Sequence, residues 1–378
     1  MFEKQNILPC EKKQRSSNLE LLRIFCMFII VMHHFALHSG FIYGEELSFN
    51  KILVQGLLLG GKLGVNCFVI ISGFFLVKKT FSLKKLLKLL FQVWFYGTLL
   101  LIVAIVFKLH PIDTRIVIKS IVPFPGLNWF AEAYIVLYLI FPFINKLANS
   151  LNRNKFLMVI FLITFCWSII PIFIDKRMGY SQTGWFIYLY LVGAYLRLYP
   201  LPIFLKDVRT QIKIFFTSVT LTFLSALMFD VAEVKYAVFS QNATHFYSMS
   251  SIFIIIAAVS LFLIFKAAKI NYSKNVNNVA LTMFGVYLIH DNPLVKNFIW
   301  NSLFHNAEYT NAPNLWAHAL WVIPIVLMSC AVIDWVRIVF IERPVLVLVG
   351  LKVDELQKLV DNKIEIWMNK LCGNNHSS

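Results

Sequence analysis

Asn18–Ser39 reads NLELLRIFCMFIIVMHHFALHS, and this stretch decides how the rest of the chain is read. It is long and apolar enough to span a bilayer as a helix, which takes ~20 mostly apolar residues. It nevertheless carries Glu20, Arg23, His33, His34 and His38. At about 100° per residue, the eleven steps from Arg23 to His34 return to within roughly 20° of the same direction. His38 follows one turn beyond His34 and Glu20 lies one turn before Arg23, so all four share a stripe, while His33 points roughly 80° away from it. Arg23 is expected near one membrane face and His34 about mid-membrane, roughly 16 Å further along the axis. One such residue alone reads as a snorkelling arginine or a histidine bonded to a neighbouring helix. Four on one stripe, each with its own insertion cost, indicate a polar interior.

The composition agrees with a membrane setting. Of 378 residues 59% are hydrophobic and 14% charged, with a mean hydropathy of +0.71, whereas soluble domains run nearer ~45–50% apolar and ~25% charged. The net charge of +16 does not indicate nucleic acid, because the basic residues sit in short clusters between apolar runs and act as topology signals. Met1–Ser17 lacks the pattern of a cleaved leader and reads as a cytosolic tail. The six cysteines, Cys10, Cys26, Cys67, Cys166, Cys330 and Cys372, form no metal-ligand spacing; those in apolar runs read as small buried hydrophobes, and no metal is expected.

Apolar runs of spanning length recur at 19–39, 52–77, 86–107, 129–147, 156–174, 184–199, 211–229, 246–268, 278–299 and 315–341, the second broken near Gly60-Gly61. With that alternation, 24 Lys and Arg fall on the side of the N-terminus and 8 on the other. The fold expected is an all-α integral membrane protein: a bundle of about ten transmembrane helices with both termini cytoplasmic. Residues 1–18 are expected as a cytoplasmic tail, 19–344 as the membrane domain and 345–378 as a cytoplasmic amphipathic tail. In that tail Val353, Leu356, Val360, Ile364, Trp367 and Leu371 recur with a helical period, for a membrane surface or coiled-coil pairing.

Further polar residues fall at membrane depth. Ser72-Gly73 allows close helix approach or lines a site. Lys85 and Lys88, one turn apart beside the cytoplasm, serve topology or bind lipid or ligand phosphates. Trp129 is an interfacial anchor, and Glu132 behind it is either a base near the outer mouth or a structural cap. His290-Asp291 before Pro293 interrupts an apolar helix, leaving backbone groups for neighbours to satisfy. Asp334 and Arg337 are spaced to pair, and His318 is expected at the outer interface.

Taken in order, Arg23 and His34 as R-x10-H, Gly64-Val65, Ser72-Gly73-Phe74, Trp129-Phe130 with Pro142, Tyr287-Leu288-Ile289-His290 and Glu342-Arg343-Pro344 resemble the membrane acyltransferase 3 family. The resemblance covers most of the chain. It implies ten spans, cytoplasmic termini, an O-acyltransferase (most often an O-acetyltransferase), acetyl-CoA or another acyl-CoA as donor with no permanently bound cofactor, and a capsular or envelope polysaccharide or its lipid-linked precursor as acceptor in the bacterial cytoplasmic membrane. Membrane lipids and a second copy of the chain are further partners. The family's R-x-x-R pair is replaced by Lys85 and Lys88, which lack the guanidinium fork. On this reading His34 is general base or transient acyl carrier, Arg23 orients the donor and Glu132 completes the catalytic set. His33, His38, Ser72, Lys85, Lys88, Trp129 and His290 bind substrate. The alternative is a flippase or export component in which the same stripe lines a passage without acyl chemistry.

Overall fold

A computed structural model describes residues 16–371 apart from 45, 123–125, 175–178 and 237–242. The expected cytosolic tail before Ser16, Cys10, Cys372, Lys176 and Arg177 therefore lie outside the described residues, which contain helices and no strand. In chain order the helices are α1 (Ser17–His38), α2 (Phe49–Leu58), α3 (Gly60–Leu76), α4 (Leu83–Val106), α5 (Thr114–Ile121), α6 (Trp129–Ser150), α7 (Arg153–Thr164) and α8 (Ile170–Ile174). There follow α9 (Gln182–Leu198), α10 (Ile203–Lys206), α11 (Val208–Lys235), α12 (Ile252–Ala267), α13 (Lys274–His290), α14 (Leu315–Arg337) and α15 (Arg343–Leu371).

The starts follow local chemistry. Ser48, Asn152, Ser181, Asp207 and Ser273 each accept a hydrogen bond from a backbone N–H of the first turn they precede, satisfying a donor the helix itself leaves unpaired. The second apolar run does break beside Gly60, into α2 and α3.

Eight helical stretches are long and apolar enough to cross a membrane. The sixth and ninth apolar runs give α9 and α13, each of 17 residues, and these two make the difference from the ten expected.

The centre of the bundle is α1 packed on α3, α13, α14 and α12, with α3 also against α9 and α12. Close approach is built in by small residues. A Cβ at Gly60 would lie 2.4 Å from the Ile29 carbonyl oxygen, and one at Gly73 would lie 2.2 Å from that of Tyr190. Ser72-Gly73 thus serves packing through Gly73. By contrast α7 and α11 leave most of their side chains exposed, as peripheral helices facing an apolar medium do.

Two polar clusters are sealed within this frame. At the C-terminal end of α14, Arg337 donates from Nε to Asp334 and from Nη1 to Glu342, both at 2.7 Å. Lys88 pairs with the other Glu342 oxygen at 2.7 Å, and Tyr96 donates to Asp334 at 2.7 Å. Residues Ile338–Glu342 form a π turn, whose i→i+5 geometry brings residue 342 back beside 337. At the other end, His318 is buried, with Nε2 2.7 Å from the Asn306 amide oxygen and its ring stacked on Tyr309. It is a packed core residue and not the interfacial one expected.

The C-terminal helix runs unbroken from Arg343. Val353 is buried and Leu356 half exposed, and Gln357 bonds the backbone at Phe81 and Leu83, tying α15 to the start of α4. The side chains of Ile364, Trp367 and Leu371 lie outside the described residues.

Candidate active site

The histidines of α1 meet the end of α13. Nδ1 of His34 is 2.8 Å from Nε2 of His290, and Nδ1 of His290 is 2.6 Å from the Val286 carbonyl oxygen. A carbonyl only accepts, so His290 holds its proton on Nδ1 and, as a neutral ring, accepts at Nε2. His34 must therefore donate from Nδ1, which leaves Nε2 of neutral His34 with a free lone pair. That nitrogen is 3.8 Å from Oδ1 of Asp291, which also accepts from His38 Nε2 at 3.1 Å. A proton taken up at His34 Nε2 would sit beside a carboxylate that stabilises it.

His33 points elsewhere, with Nδ1 2.6 Å from the Leu58 carbonyl oxygen at the end of α2. Its ring lies where a Cβ on Gly61 would fall, 2.3 Å away. It is a packed, donor-satisfied residue that also lines the cavity described next. One ligand atom from each of His34, His38 and Asp291 lies within 4.8 Å of the others, a spread from which a divalent ion could draw three ligands. The His38–Asp291 hydrogen bond already satisfies that pair.

The lone pair faces a cavity of about 180 Å³ lined by His33, His34, His38, Lys62, Trp129, Asp291 and Lys296 among others. Ile30, Val65 and Tyr287 are shared with a second cavity of about 380 Å³, which reaches down past Met27, Phe130 and Tyr134 to Arg23. That one shares Glu20, Arg23, Ser72, Lys85 and Tyr134 with a third of about 1060 Å³ at the N-terminal end of α1. The three form a sequence of chambers from Ser16 to Lys296. The largest is lined by Arg23, Lys78, Lys79, Lys85, Arg197 and Lys266, with Glu20 its one carboxylate among the described residues. Glu20 pairs with Arg23 at 2.7 Å, and Arg197 and Lys266 both lie against the Phe74 ring. Such a wall suits a ligand carrying several phosphates.

The stripe read from the sequence is therefore present, but His34 is not mid-span. α1 begins at Ser17 and ends at His38, so His34 sits one turn from the far end of its helix. Ser72 donates to the Phe68 carbonyl at 2.9 Å and meets the Tyr134 hydroxyl at 3.1 Å, lining the two larger chambers. Lys85 lines both as well. Lys88 lines the middle one, but its charge is engaged by Glu342. Trp129 lines the smallest chamber under the Lys62 ammonium, 5.1 Å from its ring centroid. His290 is fully buried behind His34 and orients it without reaching the cavity. Glu132 is exposed in the first turn of α6 and lines none of the three chambers. Its place at a helix N-terminus suits a carboxylate by the helix dipole.

Residues the sequence reading left out are Asp291, Tyr287, Lys62, Lys296 and the vestibule cations Lys78, Lys79, Arg197 and Lys266. Asp291 had a local signal, as the charged residue where an apolar helix breaks. The others come from separate helices and share a wall only in the fold.

Residues 16–336 match the acyltransferase domain of the acyltransferase 3 family. The chain belongs to that family, and with its apolar helices it is a multi-pass membrane acyltransferase. No curated protein and no solved structure matches it.

Proposed function

We propose that this protein transfers an acetyl group from acetyl-CoA on the cytoplasmic side to a hydroxyl of an envelope or capsular polysaccharide or its lipid-linked precursor. The observation that carries the reading is the free lone pair of His34 Nε2, facing a cavity that continues into a basic vestibule at the opposite end of α1. In this reading α9 and α13 also cross the bilayer, within the ~17–25 residues a span can use. That makes ten spans, with both termini in the cytoplasm of a bacterial cell, the side holding most of the Lys and Arg.

The vestibule cations and Arg23 hold the phosphates of the donor, and its thin thioester arm enters the middle chamber toward Tyr287. The acceptor enters the smallest chamber from outside. His34 Nε2 takes the proton of the acceptor hydroxyl as its oxygen attacks the thioester carbonyl. Asp291 stabilises the imidazolium, and His290 holds the ring in the tautomer that leaves Nε2 free. The carbon–sulfur bond then breaks, and the departing thiolate receives the proton from His34. Free CoA leaves on one side and the acylated sugar on the other. Glu132, which lines none of the three chambers, has no role in it.

The test is NMR of the surface polysaccharide purified from cells with and without the gene, before and after mild base. Loss of base-labile O-acyl signals on deletion, with polymer still exported, supports transfer. Polymer missing from the surface with unchanged acylation of what remains inside overturns it in favour of export.

A further inference from the structure

The three chambers differ in how their cations are held. Elsewhere in the bundle half-buried lysines are neutralised: Lys88 by Glu342 at 2.7 Å, and Lys51, at the same end as the smallest chamber, by Asp230 at 3.1 Å. Lys62 and Lys296 are also half-buried, and among the described residues neither forms an ion pair. Lys62 comes from the first turn of α3 and Lys296 from the turn after α13, yet both line the small cavity that His34 Nε2 faces. The Trp129 face offers Lys62 a cation–π contact, which does not replace a counter-charge.

The cavity's one carboxylate is Asp291, and its Oδ1 is shared by His38 and His34. Asp291 also attracts Lys62, and once His34 takes a proton that single carboxylate faces an imidazolium and two ammonium groups. The lining contains no Asn, Gln, Ser or Thr, so its full charges outnumber its neutral amide and alcohol groups. A partly desolvated cation without a partner is costly unless a ligand supplies the opposite charge.

We infer that the acceptor is anionic, carrying a carboxylate or phosphate on the acylated sugar or on the unit bonded directly to it, and that Lys62 and Lys296 bind that group. The inference rests on acyl transfer at His34. It assigns the two lysines to acceptor recognition and leaves the donor to the vestibule at the other end of α1. A charge-assisted hydrogen bond of ~1.5–3 kcal/mol corresponds to about a ten- to hundredfold preference for the charged acceptor.

The experiment uses the full chain in its own host. Two-dimensional ¹H–¹³C and ¹H–³¹P NMR of the surface polysaccharide locates each O-acyl group that disappears on gene deletion. The expected position is a hydroxyl on, or next to, a uronate or a phosphate-bearing unit, and the phosphorus correlation distinguishes those two sources. Alongside, Lys62→Gln combined with Lys296→Gln lowers O-acyl groups per repeat about tenfold or more, while Lys62→Arg with Lys296→Arg retains most of them, at equal membrane levels by immunoblot. If the glutamine pair does not accumulate, Lys296→Gln alone gives the same comparison. O-acyl groups confined to neutral sugars with neutral neighbours, or wild-type acylation in the glutamine variants, overturn the inference while leaving the transferase reading intact. Unchanged O-acylation on deletion removes the transferase reading, and this inference with it.

Discussion

The cluster around Arg337 and the cluster around His34 are both polar, both buried in the helix bundle, and built to opposite rules. Around Arg337 the charges close on one another: Asp334, Glu342 and Lys88 are each in an ion pair, with Tyr96 and Gln92 also donating to Asp334. Around His34 the hydrogen bonds run in one direction, from His34 to His290 to the Val286 carbonyl, and leave His34 Nε2 at the head of the chain with nothing to hold. The first arrangement matches charge with charge, although Asp334 Oδ2 and Arg337 Nη2 stay without a partner and Lys88 at its edge lines the middle chamber. The second is incomplete on the side that faces a cavity. Burial and charge alone do not mark a working site; the difference lies in whether the network leaves a reactive atom unspent and accessible.

Substitutions separate the two. His34→Ala is expected to lower O-acylation by at least about a hundredfold, the usual contribution of a positioned base, with the melting temperature of the detergent-solubilised protein little changed. Substantial acylation in this variant would strip His34 of its role and erase the contrast. Arg337→Met should act on the fold, since it leaves Asp334 and Glu342 buried with one cation fewer, at a cost of ~3–5 kcal/mol. Its signature is a reduced membrane level and a lower melting temperature, and a stable, well-expressed but inactive variant would make the Arg337 cluster functional after all. Asp291→Asn keeps the shape and the acceptor oxygen for His38 while removing the charge beside His34. Turnover should fall about tenfold or more without loss of thermal stability. Glu132→Gln, on an exposed first turn, should change both readouts least, within about 0.5 kcal/mol; a large loss of acylation would return Glu132 to the mechanism.

How much of this was legible in the sequence depends on the range of the interactions. The helical class, the break beside Gly60 and the stripe from Glu20 to His38 follow from local period and composition, and they stand in the structure. The Asp334–Arg337 pair was readable from its i,i+3 spacing, but not its extension to Lys88, some 250 positions earlier in the chain. His34 and Arg23 could be singled out because one helix displays both. That His290 fixes the His34 tautomer, or that Lys62 and Lys296 share a wall, depends on how α1, α3 and α13 are docked, and no spacing encodes that. His318 was misjudged because a histidine near a helix start reads as interfacial, whereas Asn306 and Tyr309, from the preceding loop, enclose it. Glu132 was placed in the site by its neighbour Trp129, although residues three apart on a helix need not face one cavity.

The junction that Ile30, Val65 and Tyr287 line between the small chamber and the middle one has a bioenergetic consequence. A water-filled line from vestibule to far end would be a leak, and each proton crossing it would dissipate ~2.3 kcal/mol per 100 mV of membrane potential. On the proposed reaction, a thioester arm threaded between two aliphatic side chains and a tyrosine would itself fill that junction as it reaches His34. The proposed exchange moves an acylium equivalent outward and a proton inward, one positive charge each way, so on that reading the modification is electrically silent overall.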